Sequence, residues 1–317
     1  MTAADIKDNK IPSVQHKEDD ARRQSNIGDK VARGIIISLL CLYALSLLVP
    51  IFWMLMNSVK SYIDYYLIPT YEFPEVPTFE NYQTILTKLK YTAQRPSGER
   101  VTFGVFSMFT YSIIWSTLGP VFSIFVTTLA AYVLSRYKFR GNNLIFTVGI
   151  VVMILPIVGT LGSAMLVRKA LGIYDNMLLM ILTGPATAFS GLNFLILYAA
   201  FKNIPWAYAE AVFIDGGGHL KVLFSIMLPL VLPTCGVLVL LGAIAGWNDF
   251  ETFLIWLPSY ANIALGLYSF QYDLQLSGGT LPEVLAGFVL VSIPMVMLYI
   301  IAQRPLMKNM IVGGLKG

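Results

Sequence analysis

The sequence predicts an all-α integral membrane protein with six transmembrane helices, and the placement of its charged residues carries that prediction. Of 317 residues, 56% are hydrophobic and 13% are charged, whereas a soluble domain carries about 25% charged residues. A helix needs roughly 20 apolar residues to cross the hydrocarbon core of a bilayer. Six windows of 19 to 28 residues contain no charge at all: 34–56, 107–134, 144–167, 177–200, 222–246 and 284–302. This pattern excludes a soluble globular enzyme and a nucleic-acid-binding protein.

The first window, 34–56, is interpreted as a retained membrane span. Its 23 residues exceed the roughly 7 to 15 residues of a signal peptide's apolar region. A tail, residues 1–33, precedes it and holds seven basic and six acidic residues. Because both charge signs are mixed with few apolar residues, this tail is predicted to be disordered.

The distribution of lysine and arginine predicts that both termini lie inside. Cytoplasmic loops of membrane proteins carry an excess of these residues. With the N-terminus inside, 15 basic residues fall in the inside segments 1–33, 135–143, 201–221 and 303–317. Only seven fall in the outside segments 57–106, 168–176 and 247–283, and the last of these has none.

The outer segment 57–106 is predicted to form a short structure over the outer mouth of the bundle. Its four prolines prevent one long helix. Within it, residues Asn81–Lys90 are predicted to form a short helix that follows Pro77 and Thr78. Residues 107–303 are expected to form a five-helix core, and 304–317 a cytoplasmic tail.

The inside loop 204–221 is predicted to contain a short helix that does not cross the membrane. Pro205 suits the first turn of a helix, and residues 206–214 follow as a rod of about 15 Å. Three glycines then provide a sharp turn. Asp215 is expected to cap the following helix. Small alanines allow a partner surface to approach, and Glu210 offers a fixed charge among them.

This loop carries a resemblance to a known family. The run Glu210-Ala-Val-Phe-Ile-Asp-Gly-Gly217, followed by Leu228-Pro229, resembles the EAA loop of ABC importer permeases. Val212 and Gly217 stand where that signature has alanine. Four further motifs are similar to those of the carbohydrate-type subfamily: Pro77-Thr-Phe-Glu-Asn-Tyr82, Ala130-Ala-Tyr132, Trp247-Asn-Asp-Phe250 and Met310-Ile-Val-Gly-Gly-Leu-Lys-Gly317. Residues 91–104 look like an insertion relative to that family.

The resemblance implies a type I ABC importer permease fold in a bacterial or archaeal plasma membrane, with a cytoplasmic coupling helix and a sugar or oligosaccharide as solute. It implies two separate ATPase subunits that hold ATP and Mg, a second related permease chain, and an extracytoplasmic solute-binding protein. The residues expected to dock on the ATPase are Trp206, Ala209, Glu210, Ala211, Phe213, Asp215, Gly216 and Gly217. In the C-terminal tail, the residues expected near the ATPase are Gly313, Gly314 and Lys316.

Other function classes fit the sequence less well. No charge-free window offers an acidic or basic side chain for a proton or sodium relay, which disfavours a secondary carrier. The chain has no Gly-x-x-x-x-Gly-Lys-Ser/Thr phosphate loop, so ATP hydrolysis is expected on another polypeptide. Its only histidines, His16 and His219, lie outside the windows, and no metal, cofactor or catalytic residue is expected in this chain. A non-sugar solute stays open as an alternative.

Three polar residues are candidates for the substrate pathway. Asn193 lies in the fourth window, where it either forms an interhelical hydrogen bond or lines the pathway. Asn248 and Asp249 lie at the outer end of the fifth window, where access to water accounts for their polarity. A substrate role is the second interpretation for this pair. Kinks are predicted at three of the prolines inside the windows, Pro156, Pro185 and Pro294.

Overall fold

The computed structural model describes residues 12–155, 159–183, 189, 191–273 and 278–312, and within these ranges the side chains of residues 29–303. The described chain is helical apart from one β-hairpin. In order, its elements are α1 (Pro12–Ser58), α2 (Tyr62–Leu67), α3 (Glu80–Lys88), β1 (Lys90–Gln94), β2 (Arg100–Gly104), α4 (Val105–Arg136), α5 (Asn142–Ile154), α6 (Leu161–Ala170), α7 (Met177–Thr183), α8 (Leu192–Asn203), α9 (Ala207–Ile214), α10 (His219–Val222), a π-helical turn (Leu223–Met227), α11 (Leu228–Trp247), α12 (Phe250–Trp256), α13 (Ile263–Tyr272) and α14 (Leu281–Val312).

Four of the six charge-free windows are continuous helices. Over the described ranges, the stretches long and apolar enough to cross a membrane are Asp29–Ser58, Val105–Arg136, His219–Trp247 and Leu281–Gln303. The helical, strongly apolar character predicted from the sequence is therefore confirmed. Windows three and four differ, because each is divided between two shorter helices, α5 with α6 and α7 with α8.

The division of window three has a local cause in the sequence. Helix α5 ends at Leu155, whose backbone is extended with φ −67° and ψ 115°, as expected for a residue that precedes a proline. With 13 residues, α5 extends about 20 Å and is shorter than the hydrocarbon core of about 30 Å. The predicted kinks at Pro156 and Pro185 lie outside the described residues. Helix α14 continues through Pro294 without a break.

The tail before the first span differs from its prediction where it is described. The backbone of residues 12–33 is helical and continuous with the first apolar window in α1, so disorder is the wrong description of that stretch. The tail contains Glu, Lys, Arg, Ala and Gln, which have high helix propensity. A helix that is already nucleated by the apolar segment extends through such residues at little cost.

Helix α4 lies at the centre of the bundle and packs against α8 and α11, while α1 contacts α14. Buried apolar side chains form two clusters. One contains Trp115, Trp247 and Phe253 and lies with the hairpin and α13. The other contains Phe201 and Ala209, near the opposite end of α4. The bundle therefore has two distinct apolar layers, one toward each end.

Side-chain contacts join the connecting loops at each end of the bundle. Asp175 accepts hydrogen bonds from the amide of Ser259 at 2.9 Å and from its hydroxyl at 2.5 Å, which joins loops 168–176 and 247–283. At the other end, the Tyr137 hydroxyl lies 3.1 Å from Nδ1 of His219, which joins loops 135–143 and 201–221. Each pair comprises loops that the charge pattern places on one side of the membrane.

Hydrogen bonds from Asn81, Tyr82 and Lys60 join the outer segment to the end of α1, and this set of hydrogen bonds is called the polar lock. The Asn81 side chain on α3 donates hydrogen bonds to the carbonyl oxygens of Ser58 and Lys60 at 2.8 and 2.7 Å. The Tyr82 hydroxyl contacts Oγ of Ser58 at 2.6 Å. Lys60 is fully buried and donates to the Pro69 carbonyl at 2.9 Å. Burial lowers the pKa of Lys60.

The segment that looks like an insertion, 91–104, forms most of the hairpin. Strands β1 and β2 pair antiparallel, with Lys90 opposite Gly104. Ala93 and Phe103 are buried on one face and belong to the outer apolar cluster. The hairpin therefore packs onto the bundle with one face and leaves the other face exposed.

Replacing Asn81 by alanine should destabilise the outer segment. The substitution leaves two carbonyl oxygens at a buried position without their donor, which costs about 1–3 kcal/mol. Thermal unfolding of the purified protein, followed by tryptophan fluorescence, should show a lower midpoint. Gln83→Ala on the same helix is the matched control, because Gln83 is an exposed amide side chain. Equal midpoints for the two variants would contradict the role of the lock.

Candidate functional site

The short helix predicted in the 204–221 loop is present as α9, and a glycine motif ends it. Gly216 has φ +75°, a left-handed conformation that glycine adopts at no steric cost. Its amide donates to the Phe213 carbonyl at 3.0 Å, and the amide of Gly217 donates to the Val212 carbonyl at 2.8 Å. These two bonds form a Schellman motif, which fixes the direction in which the chain leaves α9.

Asp215 does not have the role that the sequence suggests. It is the C-terminal cap of α9, and the next helix begins at His219 with Gly218 as its N-cap and no side-chain cap. The prediction that Asp215 caps the following helix is therefore wrong. The three glycines lengthen the turn, so that Asp215 stands four residues before the first helical residue, beyond the cap position. Its side chain is exposed instead.

Helix α9 has a buried face and an exposed face. Ala209 and Val212 are buried against the bundle. The side chains of Glu210 and Ala211 are exposed, and Ile214 is 86% exposed. The bundle therefore leaves a carboxylate and an apolar side chain of α9 uncovered.

A seat of aromatic side chains holds α9 against the end of α4. Trp206 and Phe213 are half-buried and lie with ring centroids 6.3 Å apart. The ring of Tyr137 is 6.3 Å from Trp206 and 5.3 Å from His219. The Arg136 guanidinium donates to the Ile204 carbonyl. Offset and edge-to-face ring pairs of this kind contribute about 0.5–1.5 kcal/mol each beyond their buried area. These contacts therefore stabilise the position of α9 against the bundle.

The two departures from the family signature lie in contact with each other. A Cβ atom placed on Gly217 would stand 2.5 Å from Cγ1 of Val212 and 2.9 Å from the Val212 carbonyl oxygen. Val212 therefore occupies space that the methyl group of an alanine at 217 would need. The larger residue at one position is matched by the smaller residue at the other.

The three candidate pathway residues line a single cavity. Asn193 comes from α8, and Asn248 and Asp249 come from the end of α11. The cavity has a volume of about 440 Å³, within the range of small-molecule sites. Its other lining residues are Trp115, Gly119, Pro120, Ser123, Ile124, Leu238, Gly242, Ala245, Gly246, Phe250 and Glu251.

The polar groups of this cavity differ in their hydrogen bonding. The Asp249 carboxylate accepts from Nε1 of Trp115 at 3.2 Å and from the Thr252 amide at 3.0 Å, which caps α12. The Asn248 amide donates to the Ile244 carbonyl at 2.8 Å. Asn193 forms no side-chain hydrogen bond among the residues that the structure describes. Within that part of the chain, Asn193 is therefore the one of the three whose side chain is not engaged by the protein.

Sequence reasoning missed several residues of this cavity. Phe250 is the last residue of the recognised Trp247-Asn-Asp-Phe250 motif and Glu251 follows it directly, so their position in the chain could have suggested both as lining residues. Gly242 and Gly246 form a Gly-x-x-x-Gly pair, which is a known signal of close helix packing in membranes. Trp115 carries no local signal, because only the fold brings it to Asp249. The predicted tail residues Gly313, Gly314 and Lys316 lie outside the described residues.

Comparisons with known proteins agree on one class of membrane protein. No protein-family profile matches the chain. It is 29% identical over 278 residues to a putative ABC transporter permease protein of Caldicellulosiruptor sp. (strain Rt8B.4), covering 85% of this chain and 92% of the relative. It is 30% identical over 201 residues to the maltodextrin transport system permease protein MdxG of Bacillus subtilis, covering 62% of this chain and 70% of the relative.

A solved structure has the same fold. The chain aligns with a bacterial ABC transporter involved in the import of the acidic polysaccharide alginate, with a TM-score of 0.67 and 22% identity. The alignment covers 87% of this chain and 97% of the other. The fold and the loop that contains α9 thus define a polytopic helical membrane protein of the transporter class. The chain belongs to the family of ABC transporter permease proteins.

The contact between Val212 and Gly217 can be tested with a double substitution. Gly217→Ala should loosen the turn, because overpacking typically costs about 1–3 kcal/mol. Amide hydrogen exchange across α9 should then be about tenfold faster or more. Val212→Ala combined with Gly217→Ala should restore part of the protection, since the carbonyl contact remains. Val212→Ala alone is the control. If the double variant exchanges as fast as Gly217→Ala, the two residues do not compensate for each other.

Proposed function

We propose that the chain is the membrane-spanning permease subunit of an ATP-driven importer that takes up a sugar or oligosaccharide. The relatives include permease proteins named for galactooligosaccharides, maltodextrin and diacetylchitobiose, which supports a solute of this class. The observation that carries the coupling part of the proposal is α9, a short helix with an exposed carboxylate and apolar face on a fixed aromatic seat.

In this proposal the chain crosses a bacterial or archaeal plasma membrane six times, with both termini in the cytoplasm. Helices α5 and α6 make one interrupted pass, and α7 and α8 make the next. The excess of lysine and arginine in alternate loops supports the orientation. The pairing of loops through Asp175 with Ser259, and through Tyr137 with His219, fits the same number of passes.

The proposed coupling acts through the connection between α9 and the cavity. An ATPase subunit docks on Glu210 and the exposed face of α9, and its closure displaces the helix. The Schellman motif at Gly216 passes the displacement to His219, where a continuous helical stretch to Trp247 begins. That stretch is about 43 Å long, and at its other end Asn248 and Asp249 line the cavity. The π-helical turn before Pro229 is a point at which this helix can bend.

The proposal requires partner subunits. ATP and Mg bind to two separate ATPase subunits, which need two coupling loops, whereas this chain presents one. A second, related permease chain therefore supplies the other loop and completes the pathway, and Gly313, Gly314 and Lys316 lie close to the ATPase. An extracytoplasmic binding protein delivers the solute. In support, one structural neighbour is a bacterial alginate ABC transporter in complex with an oligosaccharide-bound periplasmic protein, with a TM-score of 0.55.

Reversing the charge of Glu210 should uncouple the complex. In the reconstituted complex, Glu210→Lys should lower solute-stimulated ATP hydrolysis at least about tenfold, equivalent to about 1.4 kcal/mol, because a cation replaces the exposed carboxylate at the docking face. Glu80→Lys is the matched control, since Glu80 is also an exposed residue in the first turn of a short helix, α3, at the other end of the bundle. Stimulated hydrolysis that survives Glu210→Lys would refute the docking role.

The solute class needs a separate measurement. Proteoliposomes that contain the whole complex should accumulate a labelled neutral oligosaccharide when ATP and the loaded binding protein are supplied. A labelled amino acid serves as the control solute. Accumulation of the amino acid without the oligosaccharide would contradict the sugar assignment and would leave the permease assignment intact.

A further inference from the structure

A second cavity lies beside the coupling loop and belongs to neither the solute pathway nor the α9 surface. It has a volume of about 730 Å³ and is enclosed by the end of α4, the connection to α5 and the end of α8. Lys138 and Lys202 line it together with Asn142 and Tyr198, and no acidic side chain that the structure describes does so. The cavity therefore has a positive lining.

The two lysines are available to an anion. Among the residues that the structure describes, the ion pairs are Lys88 with Glu283 of α14 and Arg95 with Glu99 in the hairpin turn, and neither pair includes Lys138 or Lys202. The ammonium group of Lys202 stands 5.6 Å from the ring centroid of Tyr198, which holds it at the cavity wall. Lys138 is exposed in the connection to α5. An ammonium group with no carboxylate partner binds phosphate as a point charge.

The cavity lies at the edge of the apolar part of the protein. Leu134 ends one charge-free window, Leu144 begins the next, and both residues line the cavity. The surface of α5 that continues from it is apolar and between 45% and 68% exposed, at Leu144, Ile145, Val148, Val151 and Val152. The molecule thus offers a cationic pocket joined to an apolar strip. This combination matches a charged headgroup joined to an acyl chain, whereas a small water-soluble anion would contact the cationic pocket alone.

We propose that this cavity binds the phosphate-bearing headgroup of an anionic phospholipid, whose acyl chain lies along α5. Basic pockets between transmembrane helices on the cytoplasmic side bind such headgroups. The site also touches the coupling loop, because Tyr137 lines the cavity and contacts both His219 and Trp206. Lipid bound here stabilises the position of Tyr137, and through it the seat of α9.

Lipid retention by the purified complex tests the proposal. Wild-type complex, extracted from membranes that contain phosphatidylglycerol and phosphatidylethanolamine, should retain phosphatidylglycerol in native mass spectra. Lys138→Gln combined with Lys202→Gln should weaken that retention about 30-fold, from the contribution of each lysine near a charged lipid surface. Lys138→Arg combined with Lys202→Arg should retain the lipid. Lys169→Gln is the matched control, because Lys169 also stands 4.8 Å from a tyrosine ring, that of Tyr174, at the other end of the bundle.

A competition arm separates the two sources of phosphate. Inorganic phosphate is added at about 10-fold excess over the phosphatidylglycerol, so that it would compete at a simple anion site. The retained phosphatidylglycerol should stay bound. The proposal is overturned if inorganic phosphate displaces the lipid, or if the glutamine double variant retains as much phosphatidylglycerol as wild type. The arginine variant guards against misfolding, since it keeps the charge in the same place. Transport plays no part in this readout, so the result is independent of the proposed solute.

Discussion

The close approach of α4 and α11 is the constraint on which the rest of the structure depends. A Cβ atom on Gly242 would stand 2.8 Å from Cβ of Pro120, and one on Gly246 would stand 3.2 Å from Cα of Ser116. In a bilayer, helices associate through such small-residue contacts, because lipid removes the hydrophobic driving force between them. The same glycines provide no side chain to fill the space beside the contact. The two glycines therefore account both for the close packing of α4 and α11 and for the open cavity beside that contact.

This arrangement places the cavity between two dense apolar layers. Trp115, at its outer edge, belongs to one layer, and Ile124 and Leu238, at its inner edge, belong to the other. A transporter that alternates access must loosen one layer while the other stays closed. Helices α4 and α11 run through both layers, and α11 continues from the helical stretch that starts beside α9. In the proposed coupling, a displacement of the loop therefore reaches both layers through α4 and α11, whose described side chains include no buried charge.

The sequence predicts well the features that depend on local composition, and it predicts poorly the features that depend on contacts between distant parts of the chain. Missing charges identify the apolar helices, and proline with glycine marks α9, because both signals act within a few residues. The division of windows three and four depends on local backbone geometry that hydropathy does not record. The predicted capping role of Asp215 is wrong because three glycines separate it from the first residue of the next helix, His219, and Gly218 takes the cap position. The contact between Val212 and Gly217, and that of Trp115 with Asp249, appear only once the chain has folded.

The hydrogen bonding in the cavity bears on what this chain contributes to recognition. Asp249 is held by an indole and a helix cap, and Asn248 bonds back to its own helix. These groups are already satisfied, so a solute that competed for them would have to break existing bonds. Within the part of the chain that the structure describes, Asn193 and the exposed Glu251 are polar groups without such bonds. In the proposed function, a cavity with few uncommitted polar groups holds a solute weakly, and we expect the proposed binding protein to select the solute.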